Sequence, residues 1–264
     1  MRPPGSRTMP GGRPMAENSK IEWTDHTFNP WVGCTKISPA CDHCYAESWA
    51  KRTGSPGLWR GERRRTTASN WRQPVRWNRD AATAGVRRKV FCASLADVFD
   101  NQVPASWRDD LWRLVEQTPH LDWLLLTKRP QNITRMLPDP LAGVRAWNDG
   151  WPNVWLGTTI EDRKRAATNL PALCAIPAAV RFVSAEPLLE DWSDMLPLPP
   201  HGPAIHWLIC GGESGGRARD MPKEWADAFR DRCAAAGIRF FMKQMARKAP
   251  IPRDLLVRQF PVAA

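Results

Sequence analysis

Short apolar runs recur along the chain, separated by longer, more polar stretches. They are FNPWVG (28–33), KVFCAS (89–94), DWLLLT (122–127), NVWLGTT (153–159), RFVSA (181–185), HWLICGG (206–212) and IRFFMK (238–243). None alternates cleanly between apolar and polar positions, and all are rich in Val, Ile, Leu, Phe or Trp. Such runs predict strands covered on both faces, as in a parallel sheet flanked by helices. The stretches between them carry helical spacing. Trp107, Leu111, Leu114 and Val115 share one face of Pro104–Gln117. Trp225, Phe229 and Cys233 fall four apart in Pro222–Ala236, where Gly237 supplies a C-terminal cap. Strands joined by crossover helices wind right-handed. The fold class predicted is α/β, a partial or closed parallel (β/α) barrel of six to seven strands.

Composition narrows the classes. The 264 residues are 42% hydrophobic and 25% charged, a globular balance. No run approaches the roughly 20 apolar residues of a membrane span. The opening MRPPGSRTMPGGRP lacks the apolar centre of a secretory signal, so a cytoplasmic location is expected. Residues 1–18 read as a disordered tail, with Met15 a plausible true start, and 19–264 as a single domain. A membrane protein and a secreted disulfide scaffold are both excluded, and the odd count of seven Cys points to free thiols or metal ligands.

Polar residues gather just after the apolar runs. Ser94 and Asp97, Thr127 to Arg129, Thr158, Thr159 and Glu161, Ser184 and Glu186, Glu213 and Ser214, and Lys243 and Gln244 all stand there. In a β/α barrel the C-terminal strand ends form the functional face. Six polar clusters in succession therefore predict a polar site on that rim.

The most specific feature is GCTKISPACDHCYAE, which sets Cys34, Cys41 and Cys44 at C-x6-C-x2-C. Three thiolates within eleven residues close on one metal centre. The C-x2-C bite serves both zinc and iron–sulfur clusters. On spacing alone zinc stays open, with His43 or His26 as fourth ligand. Three thiolates on a [4Fe-4S] cube leave one iron free to chelate the amino and carboxylate groups of S-adenosyl-L-methionine. Such an enzyme draws its electron from a donor such as a flavodoxin or ferredoxin.

The opening KIEWTDHTFNPWVGCTKISPACDHCYAE, with the later VSAEPLL and ICGGESG, resembles the phage-associated three-cysteine-motif family of unknown function. That family is related to the radical S-adenosylmethionine superfamily. The resemblance runs over nearly the whole chain after Lys20. It implies a radical-SAM-like partial barrel with the cluster loop after the first strand. Cys34, Cys41 and Cys44 would then ligate the cluster, and His43 would stand where the superfamily often has a ring near the adenine. The first gap of six residues departs from the superfamily's more usual three. Ser94, Thr159, Glu161, Ser184 and Glu186 are the candidates to hydrogen-bond the cofactor's ribose and methionine groups. Tyr45 abuts the cluster, and Lys243 and Gln244 close the far edge beside substrate. Gly211-Gly212-Glu213 follows a late strand and is not assigned the superfamily's methionine-binding role; it reads either as a glycine-rich turn that lets backbone approach a ligand or as a tight strand-to-helix turn.

The remaining cysteines, Cys92, Cys174, Cys210 and Cys233, are expected to pack. Cys210 would donate a hydrogen atom to a substrate radical only if it points into the barrel. Between Lys51 and Lys89 stand twelve basic residues against two acidic, nearly the whole net charge of +11. Trp49, Trp59, Trp71 and Trp77 are interleaved with them. Guanidinium groups bind phosphate and indoles stack on bases, so this basic, Trp-rich insert at 49–89 suits a nucleic acid or nucleotide partner. The bland counterpart is a solvated basic surface. Three function classes follow: a radical enzyme modifying or repairing nucleic acid, a zinc-stapled nucleic-acid-binding protein, and an iron–sulfur electron carrier.

Overall fold

The computed structural model describes residues 19, 21–197 and 205–261; the expected tail at 1–18 lies outside the described residues. In chain order its elements are β1 (His26–Phe28), β2 (Trp31–Val32), α1 (Tyr45–Arg52), β3 (Arg64–Arg65), α2 (Ala68–Trp71), α3 (Gln73–Thr83), β4 (Arg88–Cys92) and α4 (Ala105–Glu116). There follow β5 (Leu121–Thr127), β6 (Val154–Thr159), α5 (Arg163–Cys174), β7 (Val180–Ala185), β8 (Trp207–Gly211), α6 (Lys223–Ala236) and β9 (Arg239–Gln244). Seven strands form one sheet in the order β1-β4-β5-β6-β7-β8-β9. Every adjacent pair is parallel, and the sheet curls into a half-barrel. The α/β prediction holds, and the two helices read from spacing lie at Ala105–Glu116 and Lys223–Ala236.

The first strand is a correction. The run expected over 28–33 splits in two, because Pro30 has no N–H with which to continue a ladder. Phe28 ends β1, and Trp31–Val32 leave the sheet to pair antiparallel with Arg64–Arg65. Asn29 fastens the break: its Oδ1 accepts from Leu95 N–H at 2.7 Å and its Nδ2 donates to Ser94 Oγ at 3.1 Å. The cysteine loop therefore hangs from a side ribbon rather than directly from a barrel strand.

Side-chain alternation divides the apolar residues into two cores. Odd positions of β8, Trp207 and Ile209, face the concave side with Trp23, Phe91, Trp155, Phe182 and Phe241. Trp207 sits centrally, its ring 5.3–6.2 Å from those of Trp23, Trp155, Phe182, Phe241 and Phe260. This aromatic plug fills the lower half of the concavity. Leu208 and Cys210 face the opposite way, into the helix-side core with Phe229 and Cys233. Cys210 is wholly buried there, so it does not point into the barrel, and burial pushes its thiol pKa up. No helix among the described residues is long and apolar enough to cross a membrane.

Candidate functional site

The loop carrying Cys34, Cys41 and Cys44 lies at the rim and is held at both ends. Its start is set by Gly33, whose N–H donates to Leu95 O at 3.0 Å. Gly33 has φ +113°, and a Cβ there would lie 2.4 Å from Glu62 O. Only glycine lets the loop pack this closely on the insert. Its end is α1, for which Cys44 is the N-cap residue. The Cys44 thiol thus sits near the positive end of that helix.

Around Cys34 the supports are guanidinium groups. Arg129, at the end of β5, donates to Asp97 at 2.9 Å and to Thr35 O at 2.9 Å, and lies 3.7 Å from Cys34 Sγ. Asp97 also accepts from Thr127 Oγ1 at 2.7 Å and from the backbone N–H groups of Phe99 and Lys128. Arg63 completes this side by bonding Asp100 and the Thr35 hydroxyl. Burial and then the Asp97 carboxylate push the Cys34 thiol up to about 11, while Arg129 pulls it down.

The other half of the loop rests on carboxylates from late strands. Glu161, fully buried after β6, accepts from Ala40 N–H at 3.3 Å through Oε1. Its Oε2 is buried with no hydrogen-bond partner. Glu213, after β8, lies 2.8 Å from His43 Nδ1 and accepts from Arg219 N–H at 2.7 Å and its guanidinium at 2.5 Å. Arg219 in turn donates to Pro39 O at 2.8 Å. Burial opposes the charged form of Glu213, yet the Arg219 and His43 bonds outweigh it and hold the carboxyl at about 2. A carboxylate only accepts, so His43 Nδ1 donates and the ring orientation is fixed.

The remaining sequence-predicted residues divide by use. Thr159 and Ser184 are register partners on the concave face, both buried. Glu186, just after β7, is paired with Lys243 of β9, one strand beyond the intervening β8. Ser94 is already occupied, its hydroxyl on Asn29 and its carbonyl accepting from Tyr45 Oη at 2.6 Å. Gln244 Nε2 donates to Gly212 O at 2.6 Å. Of the two imidazoles weighed as zinc ligands, His43 is held by Glu213, and His26 stacks on Trp77 with ring centroids 4.3 Å apart. Among the described residues no three His, Cys, Asp or Glu side chains are gathered as for a single metal ion. One zinc needs all its ligands within about 2.3 Å of a point, whereas a four-iron cube takes one thiolate at each of several corners. The three thiols share one loop, a donor set that either centre can use.

Sequence reasoning placed Arg129 and Glu213 on the polar rim and Arg63 in the basic insert without their contacts to the cysteine loop, and it missed Arg219. The Gly-Gly-Glu turn was the available signal. Gly212 is required because a Cβ there would lie 2.5 Å from Ala246 N, and the turn then delivers Glu213 to His43.

These features combine a half-barrel of parallel strands with a cysteine loop on its C-terminal rim. A family model described as "Protein of unknown function (DUF5131)" matches residues 18–253, and the chain belongs to that family. No curated protein matches the chain. Among solved structures it is similar to a spore photoproduct lyase mutant with bound AdoMet and dinucleoside spore photoproduct. That match has a TM-score of 0.55 and 11% identity, covering 87% of this chain and 79% of the other. A second mutant, with the dinucleoside photoproduct, gives 0.54 and 12% over 86% and 78%. A further mutant gives 0.53 and 11% over 91% and 88%. At such identities the likeness is one of fold.

Proposed function

We propose that this chain is a radical S-adenosylmethionine enzyme, with a [4Fe-4S] cluster held by Cys34, Cys41 and Cys44, acting on a nucleic acid or nucleotide in modification or repair. The observation that carries the reading is the placement of three thiols on one clamped loop at the rim of a half-barrel whose structural neighbour binds AdoMet. When bound, the cluster and S-adenosylmethionine together supply a 5′-deoxyadenosyl radical, with the electron coming from a flavodoxin or ferredoxin. The family relationship is that of the phage-associated three-cysteine-motif proteins.

The chain's own residues bind and orient. Glu161 Oε2, buried and unpartnered beneath the loop, accepts a hydroxyl or ammonium hydrogen of the cofactor. Thr159 and Ser184 add hydroxyls on the concave face. His43, locked by Glu213, presents its ring to the adenine. Glu186 and Lys243 neutralise one another and line the substrate side. The aromatic plug centred on Trp207 keeps water from entering through the lower half of the barrel. A nucleic-acid substrate follows from the basic insert and accords with the dinucleoside held by the structural neighbours.

Reductant-dependent release of 5′-deoxyadenosine from S-adenosylmethionine tests the reading. Release is expected from the native chain and absent from Cys41→Ala. Equal release from both proteins would refute it. Glu161→Gln, whose amide oxygen can still accept from Ala40 N–H, should weaken S-adenosylmethionine binding about tenfold while leaving iron content unchanged.

A further inference from the structure

The twelve basic residues of the insert are not equivalent. Arg63, Arg65, Arg79, Arg87, Arg88 and Lys51 are spent on Asp100, Asp110, Asp80, Asp122, Asp25 and Glu47. Arg52, Arg60, Arg64 and Arg72 are exposed and make no ion pair among the described residues. Arg64 lines a cavity of about 550 Å³, within the size range of small-ligand sites. Trp49, Thr67, Ser69, Asn70 and Gln73 also line it. Gln73 Oε1 is buried there with no hydrogen-bond partner. Thr27, Asn29 and Leu95 form the wall toward the barrel. Asn29 bonds Ser94, whose carbonyl accepts from Tyr45, the residue after Cys44. The cavity therefore lies alongside the cysteine loop.

The geometry points to a subsite for one nucleotide of a single-stranded nucleic acid, flanking the nucleotide that enters the barrel. Arg64 takes the phosphate, the indole of Trp49 supplies a face for the base, and Gln73 Oε1 accepts from a base N–H. This rests on the nucleic-acid reading above and specifies where the strand runs. The remaining exposed guanidinium groups extend the positive surface beyond the cavity.

Fluorescence anisotropy of a labelled mixed-sequence 12-mer, as DNA and as RNA, tests the subsite with cluster-loaded protein and no S-adenosylmethionine. Arg64→Ala should weaken binding about tenfold and reduce the salt slope by about one phosphate contact. Gln73→Leu should weaken binding several-fold without changing the salt slope. Arg79→Ala removes the same charge outside the cavity and should change affinity less than twofold. No binding of either 12-mer, or equal losses in Arg64→Ala and Arg79→Ala, overturns the subsite. Competition by a mononucleotide as tight as the 12-mer overturns the strand and leaves a free-nucleotide site. 5′-Deoxyadenosine release is measured separately, so an active protein that binds no 12-mer sinks this inference alone.

Discussion

The two halves of the cysteine loop are held by opposite chemistry. Cys34 stands against cations, Arg129 and Arg63, each paired with a buried aspartate from the segment after β4. The stretch from Ala40 to His43 stands against carboxylates, Glu161 and Glu213, brought in from β6 and β8. The first arrangement is a dry ion pair, with side-chain exposures of 11% for Arg129 and 6% for Asp97. The second is wetter, with His43 and Arg219 each 32% exposed. The Cys34 end is thus the rigid anchor, and the Cys44 end is the one that responds to solution conditions.

The largest expected effect comes from the thiols themselves. Replacing any of Cys34, Cys41 or Cys44 by Ala should abolish stable iron incorporation, read by iron and sulfide analysis after reconstitution. Next, Asp97→Ala leaves Arg129 charged and buried without its partner. That should cost about 3–5 kcal/mol, measured by urea unfolding. A loss below 1 kcal/mol would show that the Cys34 side is no more an anchor than the other.

Glu213 gives a smaller effect with a defined pH signature. Its folded value of about 2 lies below the ordinary 4.5, so its contribution is fully present above pH 4.5 and is lost as pH falls toward 2. Because Arg219 and His43 are each about a third open to solvent, which screens the pair, the magnitude is on the order of 1 kcal/mol at neutral pH. Glu213→Gln should remove that contribution at pH 7 and flatten the stability profile between pH 4.5 and 2. The smallest shift is the one in redox potential expected from Arg129→Gln, which also breaks the Asp97 pair and so carries a stability cost of its own. Without a guanidinium beside Cys34 Sγ, the reduced cluster loses a stabilising charge and its midpoint potential should fall, measured by EPR-monitored titration.

Much of the fold was legible because buried strands write themselves as unbroken apolar runs and because two helices carried clear spacing and a glycine cap. The Asn29–Pro30 break was present in the letters, but the ribbon partner Arg64–Arg65 is two exposed or half-exposed arginines with no strand pattern. Helix α3 was hidden for a similar reason: only Pro74, Trp77 and Ala81 of its eleven residues are buried. The rim position of the cysteine loop and of Glu161 was legible from spacing and from position after a strand. Glu213 and Arg129 were placed on the rim by the same signal, but their contacts were not legible, since the partners His43 and Cys34 lie 170 and 95 residues away. Only the curling of the sheet brings them together. The insert shows the converse: its composition suggested a phosphate-bearing partner, yet six of its twelve cations are paired with carboxylates.

The central claim is the cluster, and one preparation tests it. Protein purified without oxygen should contain about four irons and four sulfides per chain. Once reduced, it should give an EPR signal that shifts when S-adenosylmethionine is added. One zinc per chain, with no iron taken up on reconstitution, would contradict the account and leave the basic insert as the guide to function.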